Sequence, residues 1–331
     1  GVTNDLIQKS KKISDSFPGD EYDALLSSGE QVTATLLAAA LQKIGIKSRS
    51  WLGWQIPIVT EGDHKNSRII SVNSKVLNDC IDQDIVPIIP GFQGLTEGNR
   101  ISTIGRGGSD ASAVAIAKCL EADFCEIYTD VDGIYTTDPR VVKEARRLKS
   151  ITFEEMLEMA SLGSKVLQTR SVEFAGKYKV KLRVLSSFQS YGEGTIITFE
   201  DQKNMEEPII SGIAFNRDEA KITILGVPDM PGIAYQILGP VAESNIDVDM
   251  IIQNVGQDGL TDFTFTIHQD DMKKTLTILN EKVKDHVKAR EISGDNKIAK
   301  LSIVGVGMRS NVGVASKMFR TLAEEGINIT T

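Results

Sequence analysis

One stretch of this chain occurs twice. Residues 221–227 (KITILGV) align with residues 300–306 (KLSIVGV), placing Gly226 and Gly305 79 positions apart (305 − 226). In both copies the apolar, strand-like run leads into a glycine-containing loop, PDMPGIA and then MRSNVGVA. An amphipathic helical pattern follows (YQILGPVAESN, then SKMFRTLAEEG), and then an apolar-start strand (IDVDMII, then INITT). A strand–loop–helix–strand unit of this size is the front half of a ferredoxin-like βαββαβ module. The first copy continues with residues 262–268 (DFTFTIH) as a strand and 272–287 as a second helix, whereas the second stops before its third strand. The polar run 200–207 (EDQKNMEE) reads as a linker that separates this repeat from what precedes it.

Upstream the texture is different. Residues 21–45 predict a loop leading into an Ala/Leu-rich helix that stops at Gly45, and 85–90 (IVPIIP) predict a buried strand. Residues 109–122 predict a helix, 124–129 (FCEIYT) a strand, 153–175 a helix and 182–185 a strand. Strands separated by helices indicate an α/β sheet covered on both faces. At roughly 150 residues per domain, 331 residues make two or three domains. The ends at Gly1 and Thr331 are expected to cut through a fold.

Composition removes several function classes. Asp plus Glu number 45 against 37 Lys plus Arg, a net charge of −8, which argues against a general nucleic-acid binder because that role needs a basic face. No uninterrupted apolar run approaches the ~18 residues of a membrane span, so no membrane partner is expected. Cys80, Cys119 and Cys125 lack metal-ligand spacing and read as free thiols. With no secretory signal pattern, a reducing cytoplasm is the expected location.

Two loops carry chemistry. Gly105-Arg106-Gly107-Gly108-Ser109-Asp110 lies between a β-type segment and a helix. Its glycines let backbone N–H groups turn inward, the helix start adds partial positive charge, and Arg106 supplies a planar fork for a carboxylate or phosphate. A tight turn with Ser109 or Asp110 as N-cap accounts for the same residues. Neither GxxxxGK[ST] nor a GxGxxG fingerprint after a first strand is present. The second loop, residues 129–140 (TDVDGIYTTDPR), directly follows the strand FCEIYT, where open α/β sheets bind ligands. A solvated loop with Asp-Gly and Asp-Pro turns is the plainer reading of it.

Taken in order, Ser28-Gly29-Glu30, GRGGSD, TDVDGIYTTDPR and FEEMLEMASLGSKVL resemble the aspartate kinase branch of the amino-acid kinase superfamily, and the duplicated C-terminal modules resemble its paired ACT domains. The resemblance covers essentially the whole chain. It implies an α/β amino-acid-kinase three-layer sandwich with a mainly parallel central sheet, followed by two ferredoxin-like (ACT) α+β modules. The implied boundaries are 1–200 for the catalytic domain, 201–220 for a linker plus a strand shared with the second module, 221–292 for the first ACT module and 293–331 for the truncated second. The implied reaction is transfer of the γ-phosphoryl of ATP to the side-chain carboxylate of aspartate, the first step toward lysine, threonine and methionine. That carboxylate is ionised at neutral pH and needs no general base, in keeping with only three histidines.

By resemblance, Arg106 pairs with the α-carboxylate of aspartate, Glu30 and Asp110 hold its ammonium, and Gly107, Gly108 and Ser109 line the same pocket. Arg106 and Asp110 are the residues expected to act in catalysis. Thr129, Asp130, Tyr135, Asp138 and Arg140 contact the nucleotide, with Lys165 near its phosphates and Mg²⁺ carried by phosphate oxygens. One departure stands out: the family's Lys-Phe/Tyr-Gly-Gly phosphate motif does not precede Gly1. GVTND resembles the end of the family's next substrate loop, with Thr3 the matching hydroxyl, so the chain is expected to be a fragment of a competent enzyme. His64, His268 and His286 read as surface residues, and Trp51 and Trp54 as packing near the site wall.

In the repeat, Asp229, Met230, Gly232, Ile233 and Ala234 would form an effector loop, completed by Asn245, Asp247 and Gln253, with Asn311 and Val312 at the equivalent place in the second copy. The implied effectors are lysine and threonine, and the implied assembly is a homo-oligomer through the ACT modules or a hetero-oligomer with a regulatory chain. Residues 209–215 would add a strand to the second module. The rivals are a related kinase acting on glutamate or UMP and a catalytically silent amino-acid sensor.

Overall fold

The computed structural model describes residues 2–14, 16–56, 58–164, 166–189, 191–199, 210–256, 259–305 and 312–329. They form two units, Gly1–Ile213 with Val304–Thr331, and Ala214–Ile303.

The first unit opens with helices Val2–Ile13 and Gly19–Lys43. The second helix begins at once after Pro18, where the sequence predicts a loop, because Pro at the helix entry sets the backbone and donates nothing the helix needs. It is the one described helix long and apolar enough to cross a membrane by length and composition, which a search for uninterrupted apolar runs misses. Its polar side chains nevertheless tie it to strands. The buried Gln93 donates to the Ser27 carbonyl and accepts from Gln31, and Ser48 donates to the Ala38 carbonyl at 2.8 Å.

Mixed sheets follow. Ile58–Glu61 pairs antiparallel with Arg68–Val72 and parallel with Gln93–Leu95, which in turn pairs antiparallel with Ile101–Thr103. Ser48–Ser50 runs parallel to Val86–Ile88. Farther on, Cys125–Thr129 is parallel to Leu182–Ser186, and Thr195–Thr198 joins that strand to Ser150–Thr152. The core lies between this last sheet and helices Gly108–Cys119, Phe153–Ser161 and Thr169–Tyr178, filled by Val114, Ile127, Met156, Val172, Leu182 and Ile197.

The predicted helix over 153–175 is two helices. Thr152 and Glu155 form a reciprocal capping box that starts the first. Gly163, at φ +113°, then turns the chain out of it. The second helix starts only at Thr169, and this break sends residues 166–168 toward the glycine loop described below.

In the second unit, Glu219–Pro228, Val248–Val255, Leu260–His268 and Glu291–Asp295 form an antiparallel sheet whose spatial order is second, third, first, fourth. Helix Ile233–Ala242 connects the first two strands and Met272–Ile278 the last two, which is the ferredoxin-like module the repeat predicts. Its apolar seam is Ile222, Ile224, Ile237, Val241, Phe263, Phe265 and Leu279. The helix expected over 272–287 passes at Leu279 into a π-helical turn ending at Val283. The opening strand of the second copy, Lys300–Val304, pairs with Gly212–Asn216, and helix Val314–Glu324 follows it.

Candidate functional site

A cleft of about 210 Å³ is lined by Thr3, Glu30, Phe92, Gly105, Arg106, Gly107, Gly108, Ser109 and Asp110. Four separate segments meet there. Thr3 comes from the first helix and Glu30 from the second. Those helices approach closely at Gly29, where a Cβ would lie 3.2 Å from Val2 Cγ1. Phe92 immediately precedes strand Gln93–Leu95, and the glycine loop supplies the rest. Gly105 (φ +84°) and Gly107 (φ +71°) occupy the left-handed region, and Gly107 is the N-cap of helix Gly108–Cys119. The Gly108 amide donates back to the Gly105 carbonyl at 3.0 Å, which leaves the Ser109 and Asp110 amides, without a partner within the helix, at the N-terminus that lines the cleft.

Charge in the cleft is arranged for a small zwitterion. Among the described residues, the Arg106 guanidinium and the Glu30 carboxylate have no side-chain hydrogen bond or ion pair, so both remain available to a ligand. Burial raises the pKa of Asp110 above the ordinary 3.8. An ammonium arriving beside it would reverse that shift, so a cation is the ligand group this carboxylate favours.

Two features here have no signal in the sequence. Phe92 holds φ +69°, a strained conformation for a bulky residue. Its backbone lies directly against Gly108, where a Cβ would meet Phe92 Cδ2 and Ile104 Cβ at 3.0 Å. The second, outside the cleft lining, is a buried carboxylate on helix Gly19–Lys43, the helix that carries Glu30. Asp23, fully buried, accepts from Thr103 Oγ1 at 2.6 Å and from the Lys65 amide at 3.1 Å, and His64 Nδ1 lies 2.7 Å from it. His64 is therefore a structural partner of the helix rather than the bare surface residue expected. His268 and His286 are exposed. Neither Trp51, whose ring carries the Arg49 guanidinium at 4.1 Å, nor the half-exposed Trp54 lines the cleft.

The loop after strand Cys125–Thr129 is closed on itself. Thr129 donates to Asp130 at 3.2 Å, and Tyr135 donates to Asp132 at 2.8 Å, which raises the phenol's pKa. Arg140 grips Asp138 with two parallel bonds of 3.0 and 2.9 Å. Beside it lies a second cleft of about 170 Å³ with Tyr128, Asp132, Arg183, Ser186 and Tyr191 in its lining. None of Thr129, Asp130, Tyr135, Asp138 or Arg140 lines that cleft. Lys165 lies outside the described residues.

In the second unit, Gly232 (φ +90°) is the N-cap of helix Ile233–Ala242. Asp229, Met230 and Gln253 are exposed, with Ile233 buried and Ala234 half-buried, whereas Asn245 and Asp247, also exposed, follow the other end of that helix at Ala242 and are not brought to its start. Gln253 Nε2 stands 3.5 Å from Asp229 Oδ1, which joins the loop to the neighbouring strand. Val312 is exposed and Asn311 lies outside the described residues.

A glycine cradle at the mouth of a mixed α/β sheet, on a chain that also carries a ferredoxin-like repeat, defines an amino acid kinase with regulatory modules. The amino acid kinase family matches residues 1–186, and the ACT domain matches residues 221–283 and again 301–331. Within that class, the chain belongs to the aspartate kinase family. It is 57% identical over 329 residues to an aspartate kinase of Pseudomonas putida, covering 99% of this chain and 80% of that one. It is 43% identical over 333 residues to an aspartokinase of Mycolicibacterium smegmatis, covering 99% and 78%. Among solved structures, it is similar to E. coli aspartokinase III in complex with aspartate and ADP, with a TM-score of 0.79 at 25% identity, covering 99% of this chain and 73% of that one.

Proposed function

We propose that this chain transfers the γ-phosphoryl group of ATP to the side-chain carboxylate of aspartate, giving 4-phospho-aspartate and ADP. The observation that carries this reading is the meeting of Thr3, Glu30, Arg106, the Gly107–Ser109 backbone and Asp110 around one small cleft. Arg106 would receive the α-carboxylate, Glu30 and Asp110 the ammonium, and the aspartate side chain would then face the incoming phosphorus. The substrate carboxylate oxygen attacks, the bond to the bridging oxygen breaks, and ADP leaves with that electron pair. No proton moves, so no general base is required.

Thr129, Asp130, Tyr135, Asp138, Arg140 and Lys165 would hold the nucleotide. Among the described residues there is no cluster of three or more His, Cys, Asp or Glu able to hold a metal ion. Mg²⁺ would be carried by phosphate oxygens, where it neutralises charge. The Asp229–Ala234 loop, with Asn245, Asp247 and Gln253, would be an amino-acid effector site, a reading supported by one similar structure, E. coli aspartokinase III, solved in complex with lysine and aspartate. Lysine and threonine are the proposed effectors, and residues 1–200, 221–292 and 293–331 the proposed catalytic and ACT regions, with 201–220 between them. Assembly with a second copy or with a regulatory chain through the ACT modules belongs to the same reading, as does a cytoplasmic location, which suits the three free cysteines.

The test is ADP release by the protein with ATP and Mg²⁺, comparing aspartate with glutamate, with and without lysine and threonine. Aspartate-dependent release is expected, trapped as a hydroxamate. Equal turnover of glutamate would move the assignment to a related kinase, and absence of turnover with either would leave an amino-acid sensor.

A further inference from the structure

Arg170 touches neither cleft, and the proposed chemistry makes no use of it. It is the second residue of helix Thr169–Tyr178 and is half-buried. Its guanidinium reaches two distant segments at once. Nη1 donates to the Ile104 carbonyl and, at 3.1 Å, to Asn66 Oδ1, while Nη2 donates to the Ser67 carbonyl at 2.7 Å.

Those acceptors sit at the base of the cradle. Ile104 is fully buried and immediately precedes Gly105, and its own amide donates to the Phe92 carbonyl at 2.9 Å. Ser67, also fully buried, donates its amide to the Thr103 carbonyl at 3.0 Å. One planar fork thus fastens the strand that enters the cradle to the loop that precedes strand Arg68–Val72. A single ammonium could not span three acceptors in this way.

The guanidinium has no carboxylate partner among the described residues, and burial, with Arg68 adding to it, lowers its pKa. Partly desolvating a cation against neutral oxygens is unfavourable by itself, so what it holds is the sensible place to look for its role. A second contact from the same segment points the same way. A Cβ on Gly107 would lie 2.6 Å from Gln168 Cβ, so residues 168–170 support the cradle from behind at both its entry and its turn.

We infer that Arg170 is the positioning residue of the substrate cradle: by clamping the Ile104 carbonyl to Asn66 and Ser67, it keeps Gly105 and Gly107 in the left-handed conformations that present Arg106 and the helix amides to one anion. This rests on the reading of the cleft as the aspartate site. Arg170 acts through the loop and does not touch the substrate.

The experiment compares Arg170→Met, Arg170→Lys and Asn66→Ala with the unsubstituted protein. Steady-state kinetics are read for both substrates, and amide hydrogen exchange over residues 104–111. For Arg170→Met, KM for aspartate is expected to rise by roughly tenfold to a hundredfold while KM for ATP stays within about twofold, since displacement of a positioning group acts on the ligand it orients. Exchange at residues 104–111 accelerates, whereas peptides from residues 219–268 keep their unsubstituted rates. Arg170→Lys retains the charge but not the fork and recovers only a small part, and Asn66→Ala, which removes one acceptor at an exposed side chain, gives the mildest shift in the same direction. Equal changes in both KM values, or unchanged exchange over 104–111 in all three variants, would overturn the inference. If the unsubstituted chain fails to turn over aspartate, the functional reading falls, and the exchange measurement still decides whether Arg170 holds the loop.

Discussion

The cleft at the glycine loop and the loop at residues 129–140 differ in how their side chains are paired. In the cleft, Arg106 and Glu30 are brought together from distant segments and hold no other described side chain. In the loop, neighbouring residues satisfy one another: Arg140 with Asp138, Tyr135 with Asp132, Thr129 with Asp130. The first is organised before its ligand arrives, because glycine conformations and helix packing leave those charges no alternative partner. The second has local partners to exchange, so binding a nucleotide there includes breaking bonds already made. Preorganisation lowers the cost of binding, and the comparison predicts a tighter coupling of structure to affinity in the cleft than in the loop.

The largest expected effect breaks the cleft. Replacing Arg106 with Ala would remove the proposed charge-assisted bonds to the α-carboxylate, worth about 1.5–3 kcal/mol and hence roughly ten- to a hundredfold in aspartate affinity. Titration calorimetry with aspartate checks it, and unchanged affinity would remove Arg106 from the site. Next comes Gly107→Ala, which combines a strained φ with the contact to Gln168 and should destabilise the first unit by about 1–3 kcal/mol. Urea denaturation gives that figure, with the second unit's signal as the internal comparison.

A smaller change separates the loop from the cleft. Arg140→Ala should raise KM for ATP by about tenfold with little movement in melting temperature, because the Arg140–Asp138 pair is largely open to solvent on the arginine side. A large fall in melting temperature would instead make that pair structural.

The smallest effect has a pH signature. Burial raises the Asp110 pKa in the folded chain above 3.8, so the folded state holds that proton more tightly than the unfolded one. Stability from this group is therefore fully present below 3.8 and is lost as pH rises through the elevated value. Asp110→Asn should raise the melting temperature slightly at pH 7, with the gain fading on acidification and absent below pH 3.8. Thermal scans across pH 3 to 8 check the sign.

Much of the regulatory half was legible because its signals are local. The 2-residue and 3.6-residue apolar periods, repeated once, specify strand, helix and strand wherever they occur. The glycine loop was legible for the same reason. The helix break at Gly163 was not, since apolar periodicity continues through it and only the left-handed turn there stops the helix. Phe92 was invisible as a cleft residue because its positive φ is imposed by the packing around Gly108. Arg170 drew no reading from the sequence, because its three acceptors lie more than sixty residues earlier in the chain.

The sequence by itself determined most of the elements, the duplication and the chemical types available for binding, since each depends on residues within a few positions of one another. Only the tertiary structure decided which charges would meet an open cleft, which would neutralise one another in a loop, and which would serve as braces. Those outcomes depend on contacts between segments far apart in the chain, where burial and packing choose each group's partner.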